Sequence, residues 1–190
     1  TLPLSWYADT YVGQQTCQYL THFDRQAPWF CWVSFGGPHE PWDTPTRYAD
    51  KYAPDEMPKP APRPQDCSDR PSGTIDQRFK DAPRLNSDEV GAMRADYAGN
   101  VSLIDDQIGQ ILSVIEQRGE LDRTIIVLTS DHGEHNGDAG LIYKETFLDG
   151  AVRVPLLIRT PETSHPGTVS DTMVEWFDVG PTLVDLAGGE

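Results

Sequence analysis

The run Thr124-Ile125-Ile126-Val127-Leu128-Thr129-Ser130-Asp131-His132-Gly133-Glu134 constrains this chain more than any other segment. Its first half is β-branched and aliphatic, which suits a short buried strand. The strand delivers an acid and an imidazole to its C-terminal tip, and a glycine then turns the chain. In open α/β sheets, ligands sit at that edge. A carboxylate oxygen beside an imidazole nitrogen suits Ca²⁺, Mn²⁺ or Zn²⁺, and two ligands do not choose among them. The bland alternative is a turn-capping Asp131 and an ordinary loop residue at His132.

The rest of the chain alternates helical and strand patterns. Asp9 is placed to cap a helix running to about Phe23, with Val12, Thr16, Tyr19, Leu20 and Phe23 on one face. Phe30 to Phe35 reads as a strand, apolar almost throughout, as expected for burial on both faces. Gly36 and Gly37 break it and turn the chain towards His39. Asn86 and Glu89 have capping-box spacing. Met93, Tyr97, Val101, Ile104, Ile108, Ile111, Leu112 and Ile115 then recur at three- and four-residue steps, and Gly119 ends this helix. Asp105 and Asp106 lie within it. Neighbours on a helix are about 100° apart, so the pair reads as a solvated face or a tie to a nearby loop. Ile125–Leu128 and Val154–Ile158 are further strands. A last helix is expected to start near Pro181, a residue that suits a first turn. Strands separated by helical segments predict a parallel α/β sheet.

Composition sharpens this reading at a few points. At 190 residues the chain can bury one core. Nine of its 16 prolines fall between Pro41 and Pro83. That segment, about 41–85, reads as a long irregular excursion, either a surface flap or a loop lining a cleft. A net charge of −15 with only 15 basic residues excludes a nucleic-acid partner, which needs clustered Lys and Arg. Cys17, Cys31 and Cys67 have neither metal-like nor redox-pair spacing. No apolar run spans a membrane.

Several ordered segments together resemble the sulfatase branch of the alkaline phosphatase superfamily. They are Pro28–Phe35 running into Gly36-Gly37-Pro38-His39-Glu40-Pro41, Ile125–Glu134, Gly140-Leu141-Ile142-Tyr143-Lys144, Arg153–Ile158 and Asp178–Gly188. The resemblance covers about Asp9 to Gly188. It implies an alkaline phosphatase-like α/β fold, with a mostly parallel sheet sandwiched by helices. Residues 1–190 would form the C-terminal portion of a catalytic domain, with the remainder of that domain N-terminal to Thr1. It further implies a hydrolase of small-molecule or saccharide sulfate esters. Periplasmic or extracellular location follows by analogy alone.

Sulfate ester cleavage is mostly a charge problem. It needs a metal, a nucleophile, cations on the non-bridging oxygens and a proton donor for the leaving oxygen. The resemblance assigns metal binding to Asp131 and His132. Ca²⁺ is the common family metal, although an imidazole is an unusual calcium ligand and leaves Mn²⁺ open. Lys144 is the expected clamp on the sulfate group. His39, in a Pro-His-x-Pro element, is the expected acid for the leaving group. His135 and Glu134 are expected at the rim, without a metal role. Ala139 stands where the family often has a histidine.

One element is absent. Family enzymes use a Cys or Ser in a Cys/Ser-x-Pro-x-Arg motif, converted to a formylglycine whose aldehyde hydrate attacks the ester. Cys67-Ser68-Asp69-Arg70-Pro71 has the ingredients in the wrong order. The nucleophile and the early metal acids are expected upstream of Thr1. Two alternatives stand beside a sulfatase: a phosphonate monoester or phosphodiester hydrolase on the same scaffold, and a non-catalytic, metal-stabilised binding module. The Asp-x-x-x-His element of two-zinc relatives is missing, which disfavours that branch.

Overall fold

A computed structural model describes residues 2–24, 26–63, 73–161 and 166–189. The Cys67–Pro71 stretch lies outside them. Helix α1 spans Ala8–His22 and α2 Thr46–Ala49; α3 spans Gly73–Asp81 and α4 Ser87–Gln117. Strand β1 is Ile126–Thr129, the one-turn α5 is Asp149–Val152, β2 is Leu156–Arg159, and α6 is Trp176–Leu186.

Helix α4 is the spine. Asn86 accepts from the backbone N–H of Asp88 and Glu89, and Glu89 returns a bond to the N–H of Asn86, so the expected capping box is formed. Gly119, at φ 69°, ends the helix in the left-handed region. The buried face carries Met93, Asn100, Leu103, Gln107, Ile111 and Ile115, whereas Val101 is exposed. Two polar side chains on this face therefore displaced part of the expected apolar stripe.

Helix α1 packs along α4, and Leu20, Ile111 and Ile115 form the core with Cys17, Trp29, Val33 and Phe35 around them. Its inward face is Asp9, Thr10, Gly13 and Leu20; Tyr19, expected inside, is exposed. Cys17 and Cys31 are free thiols whose pKa is raised by burial. The end of α4 is pinned by a buried ion pair. Arg118 Nε lies 2.7 Å from Glu120 Oε2 and Trp29 Nε1 donates to the same oxygen at 3.1 Å. Arg118 also donates to the carbonyls of Leu20 and Phe23. The Arg118 hydrogen bonds hold the Glu120 carboxyl below its ordinary pKa.

Residues 29–35, expected to hold a strand from Phe30 to Phe35, form no strand and join no ladder among the described residues. Trp29, Val33 and Phe35 pack against the core and Cys31 is half-buried, while Phe30 and Trp32 are exposed. The segment is thus covered on one face where its composition predicted two.

The two described strands pair antiparallel, Ile126 opposite Arg159 and Thr129 opposite Leu156. The expected parallel pairing does not apply to this pair. Parallel neighbours need a crossover, usually a helix. Here the connection carries only a short 3-10 turn at Asp138–Gly140 and one-turn α5, and it brings the chain back on itself. The sheet edge is steadied by Arg159, which donates to the carbonyls of Leu121 and Thr124. Helix α6 starts at Trp176 and carries Pro181 inside it, five residues later than the expected start would place it. Asp178 accepts from the N–H of Glu175 at 2.8 Å, so the acid and not the proline marks the entry.

Part of the proline-rich excursion is ordered against α4. Tyr48 is buried and donates to Asp106 Oδ2 at 2.8 Å; Tyr52 meets Ser102 at 2.7 Å; Thr44 donates to the carbonyl of Asp96 at 2.6 Å. Asp106 is therefore a tie to a nearby loop. No described helix is long and apolar enough to cross a membrane.

Candidate active site

The turn bearing His39 is set by Asp9. This residue is the second of α1, not its cap; Tyr7 holds the cap position. The Asp9 carboxylate instead accepts from the N–H of Gly36 at 2.8 Å and Gly37 at 3.1 Å. A charged acceptor taking two backbone donors makes strong bonds. A Cβ at Gly37 would lie 2.3 Å from Asp9 Oδ2, so only glycine admits this contact. Trp42 Nε1 closes the turn by donating to the carbonyl of Pro38 at 3.2 Å.

Lys144 lies in a loop under backbone tension. Asn136, Ala139, Tyr143 and Glu145 all have positive φ, at 49°, 56°, 69° and 67°. Left-handed non-glycine residues cost about 1–3 kcal/mol each and cluster at functional sites. Several side chains hold the loop in this shape. Glu134 accepts from the N–H of Asn136 and of Tyr143. Arg94, on α4, donates to the carbonyls of Asn136 and Pro58 and pairs with Asp138. Arg78, on α3, donates to the carbonyls of Ile142 and Lys144. Glu134 is thus a loop organiser and not a rim residue.

His135 also departs from the rim expectation. It is 1% exposed, with Nε2 2.8 Å from Thr146 Oγ1 and Nδ1 unpartnered. Its pKa is lowered, first by burial and then by Arg78, against the pull of Glu134 and Asp138. It sits under the loop as a neutral, packed imidazole.

The structure brings His39 and Lys144 together. Lys144 Nζ lies 2.6 Å from His39 Nε2, across 105 residues of sequence. A protonated lysine can only donate, so Nε2 is the acceptor and Nδ1 carries the proton. Nδ1 faces Glu40, 3.0 Å from its carbonyl and 3.1 Å from its carboxylate. Trp42 stacks on Tyr143 at 6.2 Å between ring centroids and joins the two turns.

Asp131 and His132 follow β1 at its C-terminal tip, where Trp176 of α6 donates to the carbonyl of Ser130 at 2.8 Å. The Asp131 side chain is 77% exposed, and one of its oxygens accepts from the N–H of His132. His132 Nδ1 lies 2.9 Å from the carbonyl of Gly133. That bond assigns the proton to Nδ1 and leaves Nε2 with a free lone pair, the tautomer of a metal-ligating histidine. Nε2 lies 3.5 Å from Asp131 Oδ2. Two lone-pair donors facing each other at this distance fit a shared cation. The pair does not make a complete site. No group of three or more His, Cys, Asp or Glu side chains that could hold a metal occurs among the described residues. No described hydrogen bond or ion pair joins Asp131 or His132 to His39 or Lys144.

Asp9 and Glu134 were given other roles from sequence, a helix cap and a rim residue, and Arg78 and Arg94 were missed. Asp9 and Glu134 carried a signal, since an acid in a first helical turn or after a strand is an acceptor in search of donors. The arginines carried none.

The acid and imidazole at the sheet edge and the paired lysine and histidine are carried on an alkaline phosphatase-like fold. The solved phosphonate monoester hydrolase SpPMH of Silicibacter pomeroyi shares this fold at TM-score 0.82 and 27% identity, covering 100% of this chain and 39% of that one. The model of the Sulfatase family matches residues 3–189, and the chain belongs to that family. Choline-sulfatase of Rhizobium meliloti is 34% identical over 87% of this chain and 32% of its own length. The multifunctional alkaline phosphatase superfamily protein PehA of Trinickia caryophylli is 28% identical over 100% of this chain and 40% of its own. The chain spans about 40% or less of the length of these curated relatives.

Proposed function

We propose that this chain supplies part of the site of a sulfate ester hydrolase. The observation that carries the reading is the contact between His39 and Lys144, which places a fixed ammonium against a fixed imidazole. Lys144 binds a sulfuryl oxygen and offsets its charge, a role in which one preorganised donor contributes strongly. His39 holds its Nδ1 proton on Glu40 and presents Nε2 to the ester's bridging oxygen. As the nucleophile's oxygen bonds to sulfur, the S–O bond to the bridging oxygen breaks; that oxygen leaves with the bonding pair and takes the proton that Lys144 Nζ passes through Nε2, and water supplies overall the oxygen and protons that complete bisulfate and alcohol and restore the lysine. The nucleophile is proposed to come from sequence upstream of Thr1, as a formylglycine hydrate.

Asp131 and His132 would hold a divalent metal, Ca²⁺ or Mn²⁺, which supplies Lewis-acid polarisation of the ester oxygens when bound. The substrate is a small-molecule or saccharide sulfate ester. A second reading, hydrolysis of phosphonate monoesters, is favoured by the likeness to SpPMH and to the phosphonate monoester hydrolase of Agrobacterium radiobacter, at TM-score 0.77 and 29% identity.

The test uses the intact protein with an aryl sulfate and the matching aryl phosphonate monoester. It is run after chelation and again with Ca²⁺ or Mn²⁺ restored. Preferred, metal-restored turnover of the sulfate is the expected result. Preference for the phosphonate selects the second reading, and turnover of neither ends both.

A further inference from the structure

We infer that Arg78 is a positioning residue for Lys144, and that helix α3 of the proline-rich excursion is thereby a working part of the site. The inference rests on the reading above, in which Lys144 binds substrate. Arg78 Nη2 donates to the carbonyls of Ile142 at 3.3 Å and Lys144 at 3.2 Å, and Nη1 lies 3.0 Å from Glu145 Oε2. One guanidinium therefore grips the backbone before and at the lysine and the carboxylate of the residue after it. Arg94 and Glu134 fix other parts of the same loop, and among the described residues Arg78 alone bonds the backbone of Lys144 itself.

The grip falls where it is most needed. Tyr143 and Glu145, on either side of Lys144, are both left-handed. A run of such residues relaxes unless its surroundings hold it. The planar fork of arginine can reach two carbonyls and a carboxylate together; a lysine ammonium cannot reproduce that geometry. The Arg78 side chain is 28% exposed against 64% for Glu145, so the grip lies mostly beneath the loop. Arg78 also lies close enough to His135 to push its pKa down. The floor and the backbone of the loop thus meet at one guanidinium, while Lys144 Nζ extends to His39.

The experiment compares Arg78→Ala, Arg78→Lys, Lys144→Ala and the double variant Arg78→Ala/Lys144→Ala in the intact protein. Steady-state turnover of an aryl sulfate is read beside hydrogen exchange over residues 141–146 and over α4. Arg78→Ala is expected to lower kcat/KM by about 10- to 100-fold, mainly in kcat, as small misplacements do. Exchange over 141–146 should rise while α4 stays protected. Arg78→Lys should resemble Arg78→Ala, and the double variant should lose no more than Lys144→Ala alone. Unchanged exchange over 141–146 overturns the inference, as do fully additive losses or wild-type turnover in Arg78→Lys. If α4 loses protection in Arg78→Ala, the same exchange criterion is applied to Arg78→Lys. If Lys144→Ala leaves turnover untouched, the substrate-binding role fails instead, and the exchange result still decides whether Arg78 holds the loop.

Discussion

The two halves of the candidate site are built differently. His39 and Lys144 come from turns 105 residues apart and meet at 2.6 Å. Each turn is braced from outside, one by Asp9 and the other by Glu134 and Arg78. Asp131 and His132 are sequence neighbours on an exposed tip, and their contacts run mostly to their own backbone. The cationic half is organised before any ligand arrives. The proposed metal half presents lone pairs that a bound cation would bring together.

The contrast is broken most directly by removing one residue from each half. Lys144→Ala should lower kcat/KM by about 10²–10³-fold without changing how much added metal raises the melting temperature. Asp131→Ala should cost comparable turnover and also abolish that metal-linked rise, which at saturation corresponds to roughly 2–4 kcal/mol. Calorimetric scans with and without Ca²⁺ or Mn²⁺ check this. A metal-linked shift lost in Lys144→Ala would show that the halves are not separate.

A smaller effect is expected from Asp9→Ala. It leaves the N–H groups of Gly36 and Gly37 without their acceptor, at a cost of about 1–3 kcal/mol. His39 then loses its placement, and turnover should fall about tenfold while the metal response persists. Denaturant melts alongside steady-state kinetics measure both.

The smallest effect is a pH trend. Burial lowers the His135 pKa below its ordinary value near 6.5. The unfolded chain therefore binds the proton first as pH falls. The stability from neutral His135 is full above about pH 6.5 and is lost as pH drops towards the folded pKa. His135→Gln should flatten the rise in melting temperature between about pH 5.5 and 7.5. An unaltered slope would remove His135 from the account.

What could be read in the sequence follows from how local each cause is. The capping box of Asn86 and Glu89 and the stop at Gly119 depend on neighbours, and both were legible. The β1–β2 pairing depends on what the intervening loop does, and strand composition is silent on that. The strand expected over Phe30–Phe35 is not formed among the described residues, and composition could not tell which face would be covered. His39, Lys144, Asp131 and His132 were legible through ordered motifs, since nothing in either segment signals its distant partner. Arg78 had no signal at all. An arginine in a proline-rich stretch reads as a solvated charge until the fold supplies three oxygens for it.

Tyr143 and Glu145 set stability and function at odds. Either position would gain backbone ease from glycine, since glycine takes positive φ without strain. The same change would free the peptide that carries Lys144. Directed evolution for heat resistance would be drawn to these two positions, and selection for turnover would reverse the choice.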